Sequence, residues 1–300
     1  MAATTAQNPR LALVLMAVAT AFIAGTMLIA KTLGSTAFGP ALHPLQISHG
    51  RFVFAFMTIA AVAAMIRPQL QRPAWRLHLA RTAFGWAGVT LMFASVAWIP
   101  LADATAITFL NPVFGMMLAI PLLGEKVGRI RWSAAAMAIA GAMILLRPTP
   151  ESFQAASLLA LGAAMLMGME LIFIKKLAGR ETAFQILLIN NFLGLLLSSL
   201  AVLAAWEPPT PQQWMLLVAL GSCMAAAQAC FVNAMARADA SFIAPFSYGT
   251  LLFAAVYDMV FFGQFPDFVT ILGACVILTG GIILAIREAS ARPAAPNPQS

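Results

Sequence analysis

The 300-residue chain is 62% hydrophobic and only 9% Asp, Glu, Lys and Arg, whereas soluble domains carry about 25% charge, so water is excluded as its solvent and lipid fits. The formal net charge of +7 does not signal nucleic acid, because the basic residues stand singly between apolar blocks and form no stripe for a phosphate backbone. They suit an orienting role at a membrane surface instead.

Residues 1–10, "MAATTAQNPR", read as a short cytoplasmic N-terminus. About twenty apolar residues follow, more than the roughly 7–15 of a signal-peptide core, so this stretch is expected to stay as a first span. With about 20 apolar residues needed per crossing, ten spans are expected: Leu11–Thr32, Leu45–Ile66, Arg76–Trp98, Ala102–Leu122, Trp132–Arg147, Gln154–Ile174, Ala183–Trp206, Gln213–Ala236, Ala240–Phe262 and Phe268–Ile286. Turn-rich or charged breaks such as "RPQLQRP", "GEKVGRIR" and "GQFPD" separate them. Spans of this length make the chain an all-α integral membrane protein, because barrel strands are half as long. Residues 287–300 read as a cytoplasmic disordered tail, Pro-rich and polar. With the N-terminus inside, thirteen Lys and Arg fall on the inner side and two, Lys31 and Arg147, outside. That bias predicts cytoplasmic termini.

The segment beginning at Leu101 returns in altered form at Arg237. Asp103, Thr105 and Ile107 match Asp239, Ser241 and Ile243 at a spacing of 136. Gly124, Glu125 and Gly141 match Gly263, Gln264 and Gly280 at 139. The chain thus divides into a first five-helix repeat, 11–147, and a second, 148–286. Five is odd, so the second copy is inverted, and its "GQFPD" loop has lost the three basic residues of "GEKVGRIR". Inverted repeats build transporters with a substrate site near the midplane.

Candidate functional residues follow from cost in lipid. Arg51 lies about 9 Å along span two at 1.5 Å per residue; it either snorkels outward or faces a cavity, where it would attract a carboxylate or phosphate. Glu170 either pairs with Lys175 or Lys176 or lines the cavity, and Asp258 either reaches outer water or does the same. Asn190, Gln228 and Tyr248 either bond between helices or bind substrate, and Trp86 either packs or stacks on a substrate ring. Pro112 and Pro245 lie within spans four and nine, where each is expected to kink its helix and serve as a gate, or merely to pack. Asp103 and Asp239 read as helix caps, and Glu125 as a cap or a surface partner of Arg129. Cys223, Cys230 and Cys275 form no Cys-x-x-Cys, so they read as packing residues; no metal and no cofactor is expected.

"RF" at Arg51–Phe52, "PLADATAITFLNPVF", "LLGEKVG" and the ending "GAMILLRP" resemble the EamA type of the drug/metabolite transporter superfamily. The resemblance implies a cavity lined mainly by spans 1–4 and 6–9, with spans 5 and 10 peripheral. It implies transport of small metabolites across a bacterial-type inner membrane. Two departures stand out: Gln264 replaces a second Glu, and span one has no acid, which counts against the proton/drug antiport of small multidrug members. The expected function is alternating-access export of an amino-acid-like or opine-metallophore-like compound. The alternative is uptake of a vitamin or nucleoside-like metabolite such as riboflavin or S-adenosylmethionine. An enzyme is not expected, since the chain lacks His-Glu-x-x-His, Gly-x-Ser-x-Gly and a P-loop. The expected partners are a small metabolite and lipid, without nucleic acid; a homodimer is compatible but not required.

Overall fold

The computed structural model describes residues 8–124, 128–146, 154–178, 180–235, 237 and 249–290. Glu125, Asp239, Pro245, Tyr248 and residues 291–300 lie outside the described residues. Among the described residues the regular structure is entirely helical: α1 (Pro9–Leu33), α2 (Pro44–Ile66), α3 (Trp75–Val96), α4 (Leu101–Thr108), α5 (Asn111–Leu123), α6 (Arg129–Leu146), α7 (Ala156–Ala178), α8 (Ala183–Val202), α9 (Pro211–Met235), α10 (Gly249–Phe262) and α11 (Phe268–Ser290). Seven stretches are long and apolar enough to cross a membrane, namely α1, α2, α3, α4 with α5, α7, α8 and α9. Shorter apolar helices span Gly249–Phe262 and Phe268–Gly280. The last helix runs on to Ser290, past the expected end at Ile286.

Local chemistry sets the helix ends. Asn8 caps α1, its Oδ1 accepting from the Leu11 N–H at 3.1 Å, with Pro9 in the first turn where no donor is needed. Thr182 and Asp267 cap α8 and α11 in the same way. Gly124, at φ 68°, closes α5 in the left-handed conformation that glycine adopts without strain.

Span four is interrupted. The Phe109 N–H is shared between the carbonyls of Thr105 and Ala106, and Leu110 bonds back to Ile107, a tightened last turn for α4. A new helix then starts at Asn111 with Pro112 in its first turn. Pro112 therefore costs no internal hydrogen bond; the chain breaks ahead of it instead of bending around it. The proline inside a helix here is Pro121 of α5.

The closest pairings are α6 with α11, α3 with α7, α1 with α9, α2 with α9, α5 with α7, α2 with α8 and α1 with α10. Bare backbone permits some of them. A Cβ on Gly141 of α6 would sit 2.8 Å from the Gly273 carbonyl and the Ile277 nitrogen of α11. Outward-facing apolar side chains, among them Met57, Leu79, Leu200, Leu252 and Val260, are exposed, as a lipid-facing surface requires. Trp98 is 78% exposed at the end of α3, in keeping with an interfacial anchor.

Helices α2 and α8 run antiparallel and are tied at both ends. At one end Gln46 Nε2 donates to the Glu207 carbonyl at 2.6 Å, and the Glu207 N–H returns to Gln46 Oε1 at 3.2 Å. At the other, the Gln71 N–H donates to Gln185 Oε1 at 2.7 Å, and Gln185 Nε2 returns to the Gln71 carbonyl at 3.1 Å. Glu181 reinforces the second tie. Its carboxylate accepts from the Ala74 N–H at 2.8 Å and from Gln185 Nε2 at 2.6 Å, and lies 2.8 Å from Nε2 of the fully buried His78.

Burial pushes the Glu181 carboxyl up, but the Ala74 N–H, the His78 ring and the Gln185 amide outweigh it and hold its pKa below the usual carboxylate value. A depressed folded pKa stabilises the protein above the unfolded value, about 4.3, and that contribution is lost as pH falls through the folded pKa. In detergent, wild type is therefore expected to melt above Glu181→Gln near neutral pH. The gap should close as pH drops below about 4.3; thermal unfolding of both proteins across a pH series checks it.

Candidate functional site

A cavity of about 300 Å3 lies among the helices. Its walls come from α1 (Ile23, Thr26, Met27), α2 (Arg51, Phe52), α3 (Arg81, Gly85, Val89, Met92, Phe93) and the broken pair α4–α5 (Thr105, Thr108, Asn111, with Phe109 between). Met167 and Glu170 of α7, Asn190 of α8, Met224 and Gln228 of α9 and Thr250 of α10 complete it. Among the described residues, none that lines it belongs to α6 or α11, which pack chiefly on each other.

Three charged side chains meet there. Arg51 is 5% exposed, so it does not snorkel; its guanidinium lies 4.5 Å from the Phe52 ring centroid, and its Nη1 is buried without a hydrogen-bond partner. Arg81 is 6% exposed, donates through Nη1 to the Ile186 carbonyl at 3.3 Å and approaches Glu170 with Nη2 at 3.4 Å. Glu170 thus faces Arg81 of α3, not Lys175 or Lys176 further along its own helix. Gly85 makes this possible, since a Cβ there would lie 2.7 Å from the Glu170 carboxyl carbon. Arg81 lies within span three, and nothing in the local sequence marks it as a site residue. The buried pairing depends on residues 89 positions apart meeting across α3 and α7.

The amides are oriented by their neighbours. Asn191 donates through Nδ2 to the Leu187 carbonyl at 2.9 Å, and the same nitrogen lies 3.3 Å from Gln228 Oε1. Asn190 Oδ1 accepts from Thr82 Oγ1 at 3.2 Å. Four methionines, Met27, Met92, Met167 and Met224, with Phe52, Phe93 and Phe109 give the rest of the cavity a pliable apolar wall. Of the other expected site residues, Trp86 is half-buried with its Nε1 unpartnered, and it does not line this cavity.

Asp258 lies elsewhere. It is 2% exposed, pairs with Lys31 Nζ at 2.8 Å and accepts the Ala102 N–H at 3.1 Å, beside a separate cavity of about 210 Å3. Lys31 also donates to Gln264 Oε1 at 2.8 Å and lies 4.4 Å from the Phe262 ring centroid. The start of α4 is therefore capped from α10. Asp103 sits in the first turn of α4 and accepts from Thr270 Oγ1 of α11 at 2.9 Å. Among the described residues no group of three or more His, Cys, Asp or Glu could hold a metal ion.

Removing one member of a buried pair strands the other. Lys31→Ala is expected to destabilise the protein by about 3–5 kcal/mol, read as a lowered melting temperature in detergent. Lys31→Met combined with Asp258→Asn keeps the acceptor for Ala102 without the charge, and should recover most of the loss.

Comparison with known proteins places this architecture. The model of the EamA-like transporter family matches residues 11–147 and again 154–286. A riboflavin transporter of Vibrio cholerae is 32% identical over 71% of this chain and 72% of its own. An S-adenosylmethionine uptake transporter of Rickettsia bellii is 26% identical over 84% of this chain and 87% of its own. A pseudopaline exporter of Pseudomonas aeruginosa is 26% identical over 78% and 81%. A solved crystal structure shares the fold at a TM-score of 0.61, with 20% identity over 91% of this chain and 97% of that one. With the family model covering nearly its whole length, this multi-pass helical membrane protein belongs to the EamA-like transporter family.

Proposed function

We propose that the protein is a secondary transporter that moves a small, polar, ring-bearing organic metabolite across a bacterial-type inner membrane by alternating access. The substrate occupies the cavity holding Arg51, Glu170, Asn190 and Gln228. The observation that carries this reading is the burial of Arg51, Arg81 and Glu170 around a space among membrane-spanning helices. Charges so placed are expensive and mark substrate paths.

Two repeats of five spans, 11–147 and 148–286, are supported by the helix pairings. Let α4 and α5 together count as span four. Each of the closest pairings then has its counterpart when every span is exchanged for the one five places away. The pair α3–α7 becomes α9–α1, α5–α7 becomes α10–α1, α2–α9 becomes α8–α3, and α2–α8 and α6–α11 map onto themselves. The two ties obey the same exchange. Gln46 and Gln185 are 139 residues apart, and their targets Gln71 and Glu207 are 136 apart, the two spacings found in the sequence. Equivalent helices that run antiparallel are what inversion requires.

We assign both termini to the cytoplasm on the basic-residue asymmetry. The break at Phe109–Leu110 supports a gating role for Pro112, which starts the second half of that span. Relatives named for riboflavin stand at 32% identity, above the 26% of the S-adenosylmethionine uptake transporter and the pseudopaline exporter. One of these relatives is named for uptake and one for export, so the choice of substrate rests on the charges of the cavity itself.

Solute counterflow in proteoliposomes tests the carrier reading, because only a carrier exchanges labelled for unlabelled solute. Arg51→Ala is expected to lower the initial rate by at least about tenfold, the scale of one charge-assisted contact. Asp103→Asn keeps its acceptor for Thr270 and should stay within about twofold of the parent. Equal rates for Arg51→Ala and wild type would remove Arg51 from the site. For topology, a C-terminal fluorescent-protein fusion should glow and a phosphatase fusion should be inactive; the reverse pattern would refute the orientation.

A further inference from the structure

The central cavity, read as the substrate site, also restricts what the substrate carries. Its charged polar groups without partners are donors, while Asn111, whose Nδ2 donates to the Thr108 carbonyl, leaves its Oδ1 as a neutral acceptor. Arg51 Nη1 and Arg81 Nε are buried with no partner. The Leu187 carbonyl fixes Asn191 with its nitrogen toward Gln228, so Gln228 Oε1 is the accepting atom and its Nε2 remains spare. Asn190 Oδ1 is occupied by Thr82, leaving its Nδ2. The carboxylate of Glu170 is the one ionisable acceptor among the described lining residues, and it lies against Arg81.

Charge points the same way. Two guanidiniums face one carboxylate, so the cavity is net positive if Glu170 is ionised and more so if it is protonated. A buried cation without a counter-charge is costly, and a site built of spare donors rejects a ligand that cannot accept from them. A planar guanidinium favours a two-oxygen partner.

We propose that the transported molecule is a soluble organic anion or zwitterion. Its carboxylate or phosphate seats on Arg51, with Gln228 and Asn190 as further donors, and its ring lies on the methionine wall. The cavity, about 300 Å3 or roughly ten water volumes at about 30 Å3 each, admits a small ring with one such group. This rests on the carrier reading and sharpens it, because with one carboxylate between two guanidiniums a neutral ring compound would leave the cavity net positive.

The test uses the purified full-length chain in detergent, with calorimetric titration of indole-3-acetate, its neutral isostere indole-3-acetamide, the cation tryptamine, and phenyl phosphate. At least one of the two anions should bind about tenfold or more tightly than the amide, and tryptamine should bind weakest. The relative strength of indole-3-acetate and phenyl phosphate tells carboxylate from phosphate. Arg51→Gln should abolish the preference for the anion over the amide, and Arg51→Lys should restore part of it. Gln228→Leu, which leaves the charge set intact, should weaken the anion severalfold and serves if Arg51→Gln does not fold. Equal affinity for acid and amide, preference for the amine, binding of neither anion, or competition by phosphatidylglycerol that phenyl phosphate does not reproduce would each overturn the proposal. Met224→Trp fills the cavity and separates the two levels. If it abolishes amide binding but no anion is preferred, the anion proposal falls and the cavity reading stands. If anion binding survives it, the site lies elsewhere and both fall.

Discussion

A charge inside a bilayer that cannot reach water has to be matched by another, and that constraint organises the helices described above. Lys31 draws α1 to α10, and through Asp258 it fixes the start of α4. Arg81 draws α3 to α7 through Glu170. Outside those charge pairs, a hydrogen bond between the His78 ring and Glu181 fastens α3 to the approach to α8. Each match joins a helix of the first half to one of the second, so the halves interlock instead of standing side by side. Arg51 is the remaining buried guanidinium, with Nη1 unsatisfied. Structure gives way to chemistry at that residue, because what the fold leaves unmatched a ligand can match.

The cavity is regular in position but not in charge. Arg51 and Asn190 are 139 residues apart and both line it. They stand at equivalent places in the proposed repeat, one a permanent cation and the other an amide. A symmetric scaffold of this kind can reorient about a common centre while still presenting a polar end of defined sign and an apolar end to its substrate.

Much of the architecture was legible from composition and spacing alone. Apolar length located the helices, and spans twice as long as barrel strands set their type. Aspartates at a spacing of 136 and glycine pairs at 139 pointed to the proposed repeat. Arg51, Glu170, Asn190 and Gln228 were legible as costly groups in lipid, and the structure brings all four to one cavity. Partner choice was not legible. Glu170 has Lys175 and Lys176 nearby in sequence, yet bare Gly85 offers it a place beside Arg81. Asp258 was expected either at outer water or in the cavity, but it lies opposite Lys31, 227 residues earlier, and caps the start of α4. Such choices depend on which helix faces which, and local pattern does not carry that information. The glutamine ties were visible in principle, since Gln46 and Gln185 obey the spacing of 139. A lone glutamine near a helix start simply gives no reason to look.

The ties at the ends of α2 and α8 have a geometric consequence. In an ideal inverted repeat, the inward-open form is the image of the outward-open form under the two-fold rotation that exchanges the halves. A pair of helices that maps onto itself straddles the axis of that rotation, where displacement between the two forms is smallest. In the proposed repeat α2 and α8 are such a pair, and Arg51 and Asn190 sit on them. In the proposed carrier the binding groups therefore occupy the hub of the motion, and the outlying helices have the long lever arms. A substrate held at the hub would move little itself while the protein exchanges the side from which water reaches it.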